Sequence, residues 1–99
     1  MTLLIGPRPP VHPGEILREE FLEPLGLTPY ALAKACHVAR TRIERLARGE
    51  ASLTADTALR LARYFGNTPQ FWMNLQSNYD LSLVFDETEL SRIAPRDAA

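Results

Sequence analysis

Between Thr28 and Gly49 the chain reads TPYALAKACHVARTRIERLARG, and this stretch leaves little choice of local fold. Thr28 followed by Pro29 is the pattern of a helix N-cap with proline at the first helical position. Leu32, Ala33 and Cys36 then recur at helical spacing, so one face of this first helix is apolar. The pattern breaks at His37-Val38. A second helix starts near Ala39, with Ile43, Leu46 and Ala47 on its inward side and Gly49 as its stop. Its other faces carry Arg40, Thr41, Arg42, Glu44, Arg45 and Arg48.

Two short helices joined by such a turn form a helix-turn-helix, a motif whose second helix enters the DNA major groove. Ala33 is small where the two helices must approach, and Val38 can fill the angle between them. His37 takes the turn position where glycine is usual; histidine is among the non-glycine residues enriched at positive φ. Ala39 stands where a serine or threonine cap is expected, which forgoes about 1 kcal/mol of capping.

The net charge of −1 looks unsuited to a polyanionic partner until it is divided along the chain. Residues 28–50 carry Lys34, Arg40, Arg42, Arg45 and Arg48 against only Glu44 and Glu50, a local charge of +3. Residues 1–27 amount to −2, residues 51–75 to +1 and residues 76–99 to −3. Positive charge is concentrated on the motif, and local field is what steers a polyanion.

The remaining sequence supplies a frame. Residues 1–12, rich in proline, read as an extended arm. A first helix is expected from Pro13-Gly14, with Ile16, Leu17, Phe21, Leu22 and Leu25 as its apolar stripe and Pro24 and Gly26 ending it. Its outer face is acidic. Thr54 caps a fourth helix with Ala58, Leu59, Ala62 and Phe65 inward and Arg60 and Arg63 outward, closed by Gly66. Thr68-Pro69 opens a fifth, in which Phe71, Trp72, Leu75, Tyr79 and Leu83 share one side. That stripe is core, or in part a dimer surface. Residues 86–99 read as an acidic tail of one frayed turn followed by disorder. The expected fold is all-α, a compact five-helix bundle over residues 13–85.

Other chemistries find little support. No apolar run approaches the roughly 18 residues of a membrane span. The start, MTLLIGPRPP, lacks a signal peptide's basic and long apolar regions, so a cytoplasmic location is expected. The two histidines, His12 and His37, have no metal-site spacing, and no glycine-rich phosphate loop occurs, so neither metal nor cofactor is expected. Cys36 lies on an apolar helix face, where a small core residue is the expected role rather than a nucleophile. Neither catalysis nor a small-molecule substrate is expected.

Taken together, HPGEIL, LGLTPYALA, the arginine-bearing helix and TADTALRLARYFGNTPQFWMNLQSNYDL resemble the HigA-type antitoxins. These are small members of the phage-repressor-like (XRE) helix-turn-helix family, related to virulence-associated and addiction-module regulators. The resemblance spans roughly residues 12–84. It implies a homodimer that binds an operator in its own promoter. It further implies neutralisation of a small mRNA-cleaving toxin of the HigB type encoded alongside. A free-standing transcriptional regulator without a toxin would share the same fold and DNA chemistry.

From the residues themselves, Arg40 and Arg42 are placed to donate paired hydrogen bonds to guanine, and Thr41 to touch a base or a thymine methyl. Arg45 can reach a base or a phosphate. Arg48 suits a phosphate or the negative end of its own helix. Thr28 sits at a helix N-terminus, where it can act as a cap alone or also meet a phosphate, and Lys34 is a further phosphate candidate.

Overall fold

The computed structural model describes residues 9–97 and is helical throughout, with no strand among the described residues. Residues 1–8, most of the expected N-terminal arm, lie outside the described part. Helix α1 runs through residues 13–25 as three consecutive stretches: α-helical Pro13–Ile16, a wider π turn Leu17–Leu22, and α-helical Glu23–Leu25. It is followed by α2 Pro29–Cys36, α3 Arg40–Ala47, α4 Ala55–Phe65, α5 Pro69–Val84 and the short α6 Glu87–Leu90.

Of the five longer helices, four begin as their cap residues dictate. The hydroxyls of Thr28, Thr54 and Thr68 accept from the backbone N–H of Ala31, Thr57 and Phe71, each three residues on. At α1 the cap is His12, whose Nδ1 accepts from the Gly14 N–H at 2.9 Å. Among the described helices only α3, preceded by Ala39, starts without a side-chain cap. The α2–α3 turn closes as the sequence requires, with His37 left-handed at φ 60°, ψ 45° and the Val38 N–H returning to the Ala33 carbonyl at 3.0 Å.

Several expectations are corrected. Pro24 does not end α1: the helix passes through it and stops at Gly26, φ 60°. The π register, in which the Glu23 N–H bonds Arg18 O, lies immediately before the proline. The residue without an N–H thus falls where the ladder is already shifted. Leu25 is 63% exposed, turned outward at the helix end. In α4 the inward residue is Leu61, 0% exposed, while Leu59 is 59% exposed; both fit a helical period, and the packing against α5 selects the former. A sixth helix forms because the Asp86 carboxylate caps Thr88 and Glu89, at 3.0 and 3.3 Å.

The core gathers Leu17, Leu32, Ile43, Leu46, Leu53, Leu61 and Trp72 from all the longer elements. Trp72 is fully enclosed, packed on Phe21 at a ring separation of 4.8 Å, and its indole N–H donates to Asn67 Oδ1 at 2.8 Å. One buried polar side chain ties the loop after α3 to α5: Gln76 Oε1 accepts from the Leu53 N–H at 2.7 Å, and its Nε2 donates to Asp80 at 2.9 Å. A buried amide of this kind is kept because both ends are satisfied.

His12 joins three segments. Beyond capping α1 it meets the ring of Tyr79 edge-on at 4.9 Å and lies near the Ala51 backbone and the Asp80 charge. Burial pushes its imidazole pKa below the ordinary value, outweighing the opposing pull of the Ala51 backbone and the Asp80 charge. Because the unfolded chain holds that proton more tightly, stability is complete above about pH 6.5 and falls as pH drops toward the folded-state pKa. We expect the urea midpoint to decline between about pH 7 and pH 5. The decline should be smaller in His12→Asn, which retains a capping acceptor; equal declines would contradict this assignment.

Candidate nucleic-acid interface

The outward face of α3 is basic because the apolar positions Ile43, Leu46 and Ala47 turn the arginines to solvent. Arg40, Thr41, Arg42, Arg45 and Arg48 are all exposed. Each arginine is held by a partner within the chain. Arg40 Nε lies 3.2 Å from Glu44, one turn on, and its guanidinium sits 5.9 Å from the centre of the Tyr30 ring. Arg42 Nη1 bonds the Asp56 carboxylate of α4. Arg45 donates to the Glu50 carbonyl at 3.0 Å, and Arg48 Nε lies 3.3 Å from the Glu50 carboxylate.

Three of these four arginines are thus paired with carboxylates, and Arg45 is held by a carbonyl. Exposed ion pairs contribute about 0–1 kcal/mol, less than a paired arginine–guanine contact at about 1–3 kcal/mol. An incoming nucleic acid can therefore compete with these pairs, or leave one in place and use the N–H groups it does not occupy.

Five of the seven expected site residues line one of two recesses. One, about 410 Å³, lies between α3 and the start of α4 and is lined by Thr41, Arg42, Arg45, Ser52, Thr54 and Asp56. The other, about 500 Å³, brings Thr28 at the start of α2 together with Arg48, Glu44 and Arg18. The Thr28 hydroxyl accepts from the Ala31 N–H at 3.1 Å, so its own hydrogen stays available to an acceptor. Lys34 on α2 and Arg40 at the start of α3 are exposed and line neither recess.

Sequence reading missed three contributors. Tyr30 stacks under Arg40; Asp56 crosses from α4 to Arg42; Arg60 does not simply face outward but folds back, its Nη1 donating to Cys36 O at 2.8 Å and His37 O at 3.4 Å. The Asp56 carboxyl is held below the usual carboxylate range by its hydrogen bonds from Arg42 and Arg60. The i, i+4 spacing of Asp56 and Arg60 was a readable signal; the link to Arg42 depends on how α4 docks.

Of the proposed dimer residues, Phe71 and Leu83 are exposed at 38% and 55%, and Leu75 and Tyr79 are half-buried. Trp72 is a correction: at 0% exposure inside its own chain it belongs to the core. Cys36 is buried, its thiol pKa pushed up by burial, and its sulfur points at the Arg60 carbonyl at 3.8 Å. A protonated, enclosed thiol is a poor nucleophile. No helix among the described residues is long and apolar enough to cross a membrane.

Comparison with known proteins places this geometry. The family described as Helix-turn-helix matches residues 18–72. Virulence-associated protein I of Dichelobacter nodosus is 52% identical over 88 residues, covering 88% of this chain and 82% of that one. Among solved structures, PA4674 of Pseudomonas aeruginosa in complex with its 18-base-pair operator DNA superposes with a TM-score of 0.86 at 42% identity, over 92% of this chain and all of the other. The Pseudomonas aeruginosa antitoxin HigA with the higBA promoter gives 0.81 at 39% identity, over 91% and 100%.

Proposed function

Because the chain belongs to the helix-turn-helix family, among the relatives of the HigA-type antitoxins, we propose that it is a DNA-binding antitoxin that represses its own operon. The observation that carries this reading is the arginine-lined outer face of α3, presented by a helix pair whose turn is closed at His37. In this reading α3 enters the major groove. Arg40 and Arg42 meet base edges and Thr41 a base or methyl group, while Arg45, Arg48, Lys34 and the Thr28 end of α2 meet phosphates.

A single module of this size makes few base contacts, so two copies are needed, their α3 helices about 34 Å apart on successive turns of DNA. Phe71, Leu75, Tyr79 and Leu83, together with the exposed Leu81 and Val84 of α5, offer the apolar surface for that dimer. The antitoxin role is binding, not catalysis: it neutralises an mRNA-cleaving toxin of the HigB type in the cytoplasm and performs no chemistry of its own.

The test is expression of the small open reading frame adjoining this gene, alone and together with this protein. We expect growth arrest by the neighbour, recovery on co-expression, and co-purification of the two. A harmless neighbour, or one not rescued, would remove the toxin and leave a repressor.

A further inference from the structure

We infer that Asp56 is a positioning residue for Arg42, fixing the direction from which that arginine reads a base. The inference rests on the DNA-binding reading of α3. Asp56 lies in the first turn of α4, and its Oδ2 accepts from Arg42 Nη1 on α3 and from Arg60 Nε, 3.0 Å away and one helical turn further on. Arg60 is itself anchored, since its Nη1 donates to the carbonyls of Cys36 and His37 at the end of α2. A continuous chain of charge-assisted hydrogen bonds thus runs from the α2–α3 turn through Arg60 and Asp56 to Arg42.

The chemistry of the guanidinium gives this chain a purpose. Its five N–H groups form a rigid planar fork. The bond to Asp56 uses Nη1 and leaves other N–H groups of the fork to donate toward a guanine. A free arginine loses rotamer freedom when it docks, and an arginine already held loses less. Asp56 also puts a carboxylate beside the path of the phosphate backbone, which disfavours docking where Arg42 finds no base partner. One residue therefore raises discrimination and lowers indiscriminate affinity. Simple charge repulsion would do only the second.

The experiment separates these effects. The wild-type protein is used to select preferred sites from a random-sequence duplex pool. Affinities of wild type, Arg42→Ala, Asp56→Asn and the double variant are then measured for the best site, for its single-base-pair variants and for unrelated duplex. We expect Asp56→Asn to fold normally by circular dichroism and to bind unrelated duplex at least threefold more tightly. It should lose at least fivefold of preference at the one base pair whose preference Arg42→Ala also removes. In the Arg42→Ala background, Asp56→Asn should change that preference no further, and Asp56→Glu should restore part of it in the single variant. Retained preference at that base pair, with overall affinity alone altered, would overturn the assignment while leaving the DNA-binding reading intact. A wild-type protein that selects no sequence would instead overturn that reading, and this inference with it.

Discussion

Gly14→Ala is expected to lower stability by about 3 kcal/mol or more, although alanine is the better helix former by about 1 kcal/mol. A Cβ on Gly14 would fall inside the carbonyl oxygen of Leu46 and only 2.9 Å from its carbon. Both obstacles are backbone, so no side-chain rotation relieves them. Neither helix is free to back away. Above Gly14 the His12 cap fixes the start of α1; below it, Arg18 Nη1 donates to the Ala47 carbonyl at 2.7 Å and clamps α1 to the end of α3. Leu46 itself is 1% exposed in the core. For a domain of this size the loss corresponds to a Tm lower by about 12 °C or more. Thermal denaturation followed by circular dichroism reads it directly; a variant as stable as wild type would show that α1 does not press on α3 as described.

The second large effect concerns recognition. Arg42→Ala should weaken binding to the protein's preferred DNA site at least tenfold while leaving the fold unchanged. A well-formed arginine–base pair supplies about 1–3 kcal/mol, and two symmetry-related copies act on one operator. Removing Arg42 also leaves the Asp56 carboxylate facing the DNA with only Arg60 to balance it, which adds to the loss. The side chain is exposed and contributes little to the core, so its stability cost should stay within about 0.5 kcal/mol. Fluorescence anisotropy with labelled duplex measures the affinity. Unchanged affinity in a variant with native circular dichroism would remove Arg42 from the recognition set.

The helix-turn-helix was legible because local rules and packing agree over residues 28–49. Thr28-Pro29 caps α2, a residue tolerant of positive φ stands at the turn, and the apolar period of α3 leaves its arginines outward. The caps of α4 and α5 were legible for the same reason. What escaped depended on contacts between elements. The choice of Leu61 over Leu59 turns on a small rotation of α4 that an i, i+3, i+4 period does not fix. Pro24 reads locally as a breaker, yet the π turn before it carries the helix on to Gly26. Gln76 is polar and carries no apolar signal, yet it is buried, where its Oε1 accepts from the Leu53 N–H. In the candidate site, the sequence marked which arginines face outward. It could not reveal that Asp56 and Tyr30, from two other helices, hold two of them in place.

The most direct measurement is the affinity of the wild-type protein for duplex DNA from its own promoter across a range of salt concentrations. If α3 docks with Arg45, Arg48, Lys34 and the start of α2 on phosphates, each dimer neutralises several charges. The logarithm of the binding constant should then fall linearly with the logarithm of salt, with a slope of about −5 or steeper at roughly 0.9 per phosphate. Unrelated duplex should bind more weakly, with a comparably steep slope. No binding, or binding indifferent to salt and sequence, would contradict the reading of α3 as a recognition helix.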